Sequence, residues 1–136
     1  MKQIILICAM AIALAFPINA DEGEAGGIRA VITDQFAAFE ADDFAAAFGL
    51  ASPGIQRVFQ TPESFAAMVR NGYPMVHRNA EVRFLELREV DGRLWQKVMV
   101  RDRAGALHVL DYEMIEHGGD WRIGAVQYLR QPEVGA

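Results

Sequence analysis

The fold of this 136-residue chain is decided by residues 81–101, EVRFLELREVDGRLWQKVMVR, in which polar and apolar side chains alternate. Alternation with a period of two is typical of a strand that buries one face. The pair Asp91-Gly92 separates two such runs and is a strong signal for a tight hairpin turn. We therefore expect Glu81–Arg88 and Leu94–Arg103 to pair as antiparallel strands.

The alternation continues beyond this hairpin. Short glycine-containing segments at residues 104–105 and 118–120 predict two more turns, and Ala106–Glu116 and Trp121–Leu129 predict two more strands. Four strands joined by short turns predict an antiparallel meander.

Upstream of the sheet the apolar residues recur at helical spacing. The first helix is marked by Ile28, Ile32, Phe36 and Phe39. This helix is predicted to end near residue 41, and two further helices are predicted over residues 44–50 and 62–72, with one additional turn over residues 55–59. The sequence therefore predicts an α+β fold, in which N-terminal helices pack on a curved antiparallel four-stranded meander.

Residues 1–20 have the pattern of a secretory signal. Lys2 precedes an unbroken apolar run over residues 4–16, and Ala20 stands before an acidic pair. Thirteen apolar residues are short for a membrane span, which takes about 20. We expect cleavage after Ala20, a periplasmic or secreted bacterial location, and no stable membrane anchor after cleavage.

The expected domain plan follows from this cleavage. Residues 21–27 are predicted to be a flexible N-terminus, residues 28–130 a single domain, and residues 131–136 a C-terminal tail. Cys8 is the only cysteine of the sequence and lies in the signal, so the exported chain is expected to have no thiol chemistry.

The composition also restricts the classes of partner and ligand that we expect. The chain has 13 Lys and Arg against 18 Asp and Glu, a net charge of −5, so we expect no nucleic-acid partner. The three histidines fall in separate predicted elements, and we therefore expect no metal site. No cofactor motif is found, and none is expected.

Four polar side chains interrupt the apolar faces of the predicted strands: Gln96, His108, Tyr112 and Gln127. Residues two apart share a face, so these groups are expected to converge beneath the helices, where they could orient a small apolar ligand by hydrogen bonds. The alternative is that they satisfy one another or a buried water, or that they face a dimer partner.

Two strand openings, residues 92–96 (GRLWQ) and 119–124 (GDWRIG), follow the helices in an order that resembles the nuclear transport factor two-like (cystatin-like, SnoaL-like) superfamily. Four further segments are similar to a bacterial exported family of unknown function. They are Ala51-Ser52-Pro53, Phe65–Val69, Tyr73-Pro74 and Trp121-Arg122-Ile123.

This resemblance covers about residues 28–130 and implies a cone-shaped interior capped by helices. Members of the steroid-isomerase and polyketide-cyclase type bind apolar ligands there. The superfamily also implies an early strand between its helices, which only residues 55–59 or 73–77 could supply. Its domains often dimerise through the outer face of the sheet, where Trp95 and Met99 are candidate interface anchors.

Three functions remain open at this point. The first is non-enzymatic binding of a small apolar molecule or a protein partner in the cone. The second is a steroid-isomerase-like or cyclase-like enzyme that uses His108 and Tyr112, although Asp111 and Glu113 fall on the face opposite to His108 and cannot orient it. The third is a homodimeric assembly module with a filled cone.

Overall fold

A computed structural model describes residues 20–129, with side chains from residue 23 onward. Within this range the fold is α+β, as predicted, and consists of helices followed by one four-stranded sheet. The helices are α1 (Ala20–Glu40), α2 (Phe44–Gly49), α3 (Pro53–Phe59), α4 (Pro62–Gly72) and α5 (Pro74–His77). The strands are β1 (Glu81–Val90), β2 (Arg93–Arg101), β3 (Leu107–His117) and β4 (Asp120–Leu129). The predicted signal up to residue 19 and the predicted tail lie outside the described residues.

The first helix is longer than the sequence predicts. It begins at Ala20, so residues 21–27 form its first turns and not a flexible segment. The glycines there disfavour a helix by about 1 kcal/mol each, but Gly27 also lets the helix approach the sheet closely. A Cβ atom at Gly27 would lie 3.0 Å from the Cδ1 atom of Trp121 on β4, so this packing favours glycine at that position.

The starts of the next three helices are fixed by side-chain caps. Asp43, Ser52 and Thr61 each accept a hydrogen bond from the amide three residues later, at 3.1, 3.3 and 3.1 Å. Proline follows the cap in α3 and α4, where its missing amide costs nothing. Residues 55–59 and residues 74–77 are helical. The described chain therefore has no early strand in the two places where the superfamily resemblance would require one.

The sheet is an antiparallel meander with the strand order β1-β2-β3-β4. Asp91 and Gly92 both have positive φ, 52° and 77°, as a type I′ hairpin turn requires. The ends of all four strands lie within two residues of their predicted positions. The meander predicted from the period-two pattern is thus confirmed.

A β-bulge in β4 changes which side chains face the helices. Met114 pairs with Ile123, but Glu113 pairs with Ala125, so Gly124 is an extra residue. Beyond the bulge, the residue opposite Tyr112 is Val126. The prediction that Gln127 shares a face with Tyr112 is therefore wrong, because the inserted residue moves Gln127 to the opposite face.

All of the described helices lie against one face of the sheet. The apolar stripe predicted for α1 is buried in one core with Val98, Val100 and Leu110 of the central strands, and the ring centroid of Phe36 lies 6.3 Å from that of Tyr112 on β3. No helix within residues 20–129 is both long and apolar enough to cross a membrane.

Candidate functional site

A cavity of about 730 Å³ lies between α3, α4 and the edge strand β4, and we call it the α3–β4 cavity. Small-molecule sites in proteins generally have volumes of about 300 to 1,000 Å³. The size of the α3–β4 cavity is therefore that of a small-molecule site.

α3 is held to the rest of the fold at its two ends and at Gln56 in its middle, whose side-chain amide donates to the Phe48 and Ala51 carbonyls at 3.1 and 3.2 Å. At the N-terminal end, the Ser52 amide donates to the Ile123 carbonyl at 2.9 Å, and the Ile123 amide donates to the Leu50 carbonyl at 3.0 Å. At the other end, the ring of Phe59 packs against that of Phe65 on α4, with ring centroids 5.8 Å apart. No residue of α3 is buried, so the helix stands away from the sheet and leaves space above β4.

The lining of this space is mostly apolar. It includes Ile55, Phe65, Met68, Val69, Ile123 and Val126. Tyr73 also lines the cavity, and its hydroxyl donates a hydrogen bond to the Val126 carbonyl at 3.2 Å. A mostly apolar lining with few polar groups is typical of sites for organic ligands.

Tyr112 on β3 is the most deeply buried phenol of this lining. Burial raises the pKa of its hydroxyl well above the usual value of 10.0, and the neighbouring Tyr73 adds to the effect. Tyr112 is therefore a neutral phenol at physiological pH. Such a group can donate or accept a hydrogen bond, but it cannot serve as an anionic base.

The mouth of the cavity is formed by exposed residues. Val58 is 73% exposed and Ile115 is 38% exposed, while Arg57 and His117 are the charged or titratable residues of the mouth. The bulge glycine belongs to the same region. A Cβ atom at Gly124 would collide with the Ile115 side chain, including its Cγ1 atom at 2.8 Å, so glycine is required for Ile115 to lie across β4.

His108 has two polar partners that the sequence reasoning missed. Its Nε2 atom lies 2.8 Å from a carboxylate oxygen of Asp102, and its Nδ1 atom lies 2.7 Å from the Tyr128 hydroxyl. Because a carboxylate can only accept, Nε2 carries a proton and donates to Asp102, and Nδ1 shares a second hydrogen bond with the Tyr128 hydroxyl. The hydrogen bond from His108 lowers the pKa of Asp102, and the Ala106 amide adds to this effect.

Sequence signals for both partners of His108 exist. Asp102 opens the turn between β2 and β3, where its carboxylate accepts hydrogen bonds from the amides of Ala104 and Ala106 at 3.0 and 2.9 Å. An Asp at the start of a turn is typical of this arrangement. The signal for Tyr128 is Gly124, because glycine inside a predicted strand often marks a bulge, and the bulge places Tyr128 on the same face as His108.

The structure does not bring the four predicted site residues together. Of these, only Tyr112 lines the α3–β4 cavity. Gln96 is buried and donates to the carbonyls of Leu85 and Lys97, both at 2.9 Å, beside the bulge in β1. Gln127 lies on the outer face, and His108 lies outside the cavity with both ring nitrogens engaged.

The outer face of the sheet carries Trp95 and Met99, both half-buried, and lies opposite to the helices. On this face Arg88 forms a two-pronged ion pair with Asp111, with nitrogen to oxygen distances of 3.0 and 2.7 Å. Asp111 is only 5% exposed, and its hydrogen bond raises the pKa of Arg88. Within residues 20–129 no three His, Cys, Asp or Glu side chains are grouped as metal ligands.

Residues 21–136 match the family model described as "Domain of unknown function (DUF4864)". Neither a curated protein nor a solved structure matches the chain. The resemblance to the nuclear transport factor two-like superfamily therefore stays a prediction. Because the match extends over most of the sequence, the chain belongs to the family of DUF4864 domains, whose function is unknown.

Proposed function

We propose that this protein binds a small, largely apolar molecule in the α3–β4 cavity. The observation that carries the proposal is the cavity itself, about 730 Å³ with a mostly apolar lining. Each buried CH₂ group of a ligand contributes about 0.8 kcal/mol of transfer free energy. A chain of eight to ten carbons therefore gains about 6 to 8 kcal/mol from burial, which opposes the entropy lost on binding.

Binding without catalysis is supported by the position of the titratable groups. An enzyme of the expected kind would need His108 and Tyr112 to face one substrate. His108 instead bonds to Asp102 and Tyr128 outside the cavity, and Tyr112 is held neutral by burial. The cavity also favours ligand binding over an assembly module with a filled interior.

The test is a titration with 1-octanol in which binding is measured by isothermal titration calorimetry. Met68 is half-buried on α4 and lines the cavity, whereas its neighbour Ala67 is exposed on the same helix and does not. We expect the unaltered protein and Ala67→Trp to bind 1-octanol with equal affinity, and Met68→Trp to lose binding because the indole fills the space. If the unaltered protein does not bind, or if Met68→Trp binds equally well, the proposal is wrong.

The location of the protein is a second proposal. We propose export to a bacterial periplasm or medium, supported by the signal pattern of residues 1–20 and by a family match that starts at residue 21. Mass spectrometry of the chain recovered from the periplasm of an expressing bacterium should find Asp21 as its first residue. A chain that retains its apolar N-terminus in the membrane fraction would contradict this.

Self-association is the remaining proposal, and its support is the outer face of the sheet with Trp95 and Met99, against which no helix among residues 20–129 packs. Two copies that pack these faces together would bury both side chains. Sedimentation should then give a dimer for the unaltered chain and a monomer for Trp95→Glu, while Val58→Glu, at the exposed cavity mouth, should stay dimeric. A monomer at all concentrations would contradict the proposal.

A further inference from the structure

We propose that the ligand of the α3–β4 cavity is an amphiphile with a carboxylate head, whose apolar chain enters the cavity while the head stays at the mouth beside Arg57. This inference rests on the proposed binding function and adds the chemical class of the ligand. Its basis is the contrast between the charge of the cavity lining and the charge of the whole chain.

The lining has the opposite charge balance to the protein. The whole chain has more acidic than basic residues and a net charge of −5. Among the described residues of the lining, however, there is no Asp or Glu, and Arg57 is the one permanently charged side chain. A cavity whose described lining contains one guanidinium and no carboxylate, in a protein with an acidic net charge, is electrostatically suited to an anion.

Arg57 is available to such an anion. Its Nε atom donates to the Pro53 carbonyl at 3.3 Å, one helical turn earlier. This bond uses only Nε, so the two terminal amino groups can donate to solvent or to a ligand. Several other guanidinium groups are paired with carboxylates, as in Arg78 with Asp42 and Arg103 with Glu40. Within residues 20–129 no carboxylate forms an ion pair with Arg57.

A carboxylate suits this position because its two oxygens match the planar donors of a guanidinium. The head should remain at the mouth, since an ion without a partner charge is strongly disfavoured in an apolar interior. The exposed side chains of Val58 and Ile115 flank the mouth and can cover the first carbons of the chain. The geometry therefore separates a charged end from an apolar end, as an amphiphile does.

The experiment compares three probes with the same eight-carbon chain, namely octanoate, 1-octanol and octylammonium, by calorimetry at low ionic strength. We expect octanoate to bind about fivefold more tightly than 1-octanol, and octylammonium to bind most weakly. Arg57→Gln should make octanoate and 1-octanol equal. Arg29→Gln is the matched control, because Arg29 makes the same Nε bond to the carbonyl four residues earlier, at 3.3 Å, but lies outside the cavity.

The outcomes separate the two proposals. Equal affinities for the three probes, or a preference for octylammonium, would overturn the carboxylate assignment and leave the binding function intact. A preference for octanoate that survives in Arg57→Gln would overturn the role of Arg57. Failure of all three probes to bind would overturn both the ligand class and the proposed function.

Discussion

The hydroxyl of Tyr73, at the end of α4, donates a hydrogen bond to the main-chain carbonyl of Val126 on β4, 3.2 Å away. The two residues are 53 positions apart in sequence and both line the α3–β4 cavity. The bond satisfies a carbonyl on the free edge of the sheet and joins the helical layer to that edge. It therefore helps to hold the cavity at a fixed width.

Loss of this bond should destabilise the fold. Tyr73→Phe leaves the Val126 carbonyl without its donor, and we expect the free energy of unfolding to fall by about 1 kcal/mol in urea denaturation. Tyr112→Phe is the comparison, because the Tyr112 hydroxyl forms no hydrogen bond with another group of residues 20–129, and its effect should be smaller. If Tyr73→Phe is as stable as the unaltered protein, the bond does not join the two layers.

The bulge in β4 makes a prediction about glycine. In Gly124→Ala the new methyl group would overlap the Ile115 side chain, and such overpacking costs about 1–3 kcal/mol. Gly72→Ala is the matched control, since a Cβ atom there meets nothing within 4 Å, and its stability should be unchanged or higher. In the double variant Gly124→Ala with Ile115→Ala the overlap is removed, so the stability lost in Gly124→Ala should be recovered. If it is not recovered, the loss of stability does not come from this overlap.

The ion pair on the outer face should behave as a buried pair does. Arg88→Met leaves the nearly buried carboxylate of Asp111 without its partner, and we expect a loss of about 2 kcal/mol in the free energy of unfolding. The double variant Arg88→Met with Asp111→Leu should recover most of this loss. A double variant that is no more stable than Arg88→Met would contradict the assignment of the cost to an unpaired charge.

Acid should weaken the fold through Asp102. Because its hydrogen bonds lower its folded-state pKa below 3.8, the folded chain binds fewer protons than the unfolded chain as the carboxylate titrates. Its contribution to stability is therefore present above pH 3.8 and is lost as the pH falls through the lowered pKa. The stability difference between the unaltered protein and Asp102→Asn should shrink as the pH falls below 3.8.

The matched control for this acid effect is Asp34→Asn, on the exposed surface of α1. It should leave the pH dependence of the unfolding midpoint unchanged. If the stability difference between the unaltered protein and Asp102→Asn is constant from pH 5 to pH 2.5, the hydrogen bond from His108 to the Asp102 carboxylate does not stabilise the fold.

Much of the fold could be predicted because its signals are local. The period-two pattern, the Asp91-Gly92 turn and the cap at Thr61 each act over a few residues, and the structure has the elements that they predict. The extension of α1 over residues 21–27 was missed, because the glycines of this segment disfavour a helix locally and the closeness of Gly27 to Trp121 is a tertiary feature.

The candidate site was less predictable because it depends on tertiary geometry. One inserted residue at Gly124 reversed the faces of the following residues, so Gln127 was predicted on the inner face and lies on the outer face. The partner of His108 was sought on its own strand and lies in the preceding turn, at Asp102. The α3–β4 cavity itself arises from how far α3 stands from the sheet, which no local pattern records.

The most direct test of the account is a methyl NMR titration of the isotopically labelled protein with 1-octanol. The binding proposal predicts saturable shifts of the methyl signals of Ile55, Val69 and Ile123, which line the cavity, while Val109 on the outer face stays unchanged. Shifts confined to the outer face, or none at any of these methyl groups at saturating 1-octanol, would contradict it.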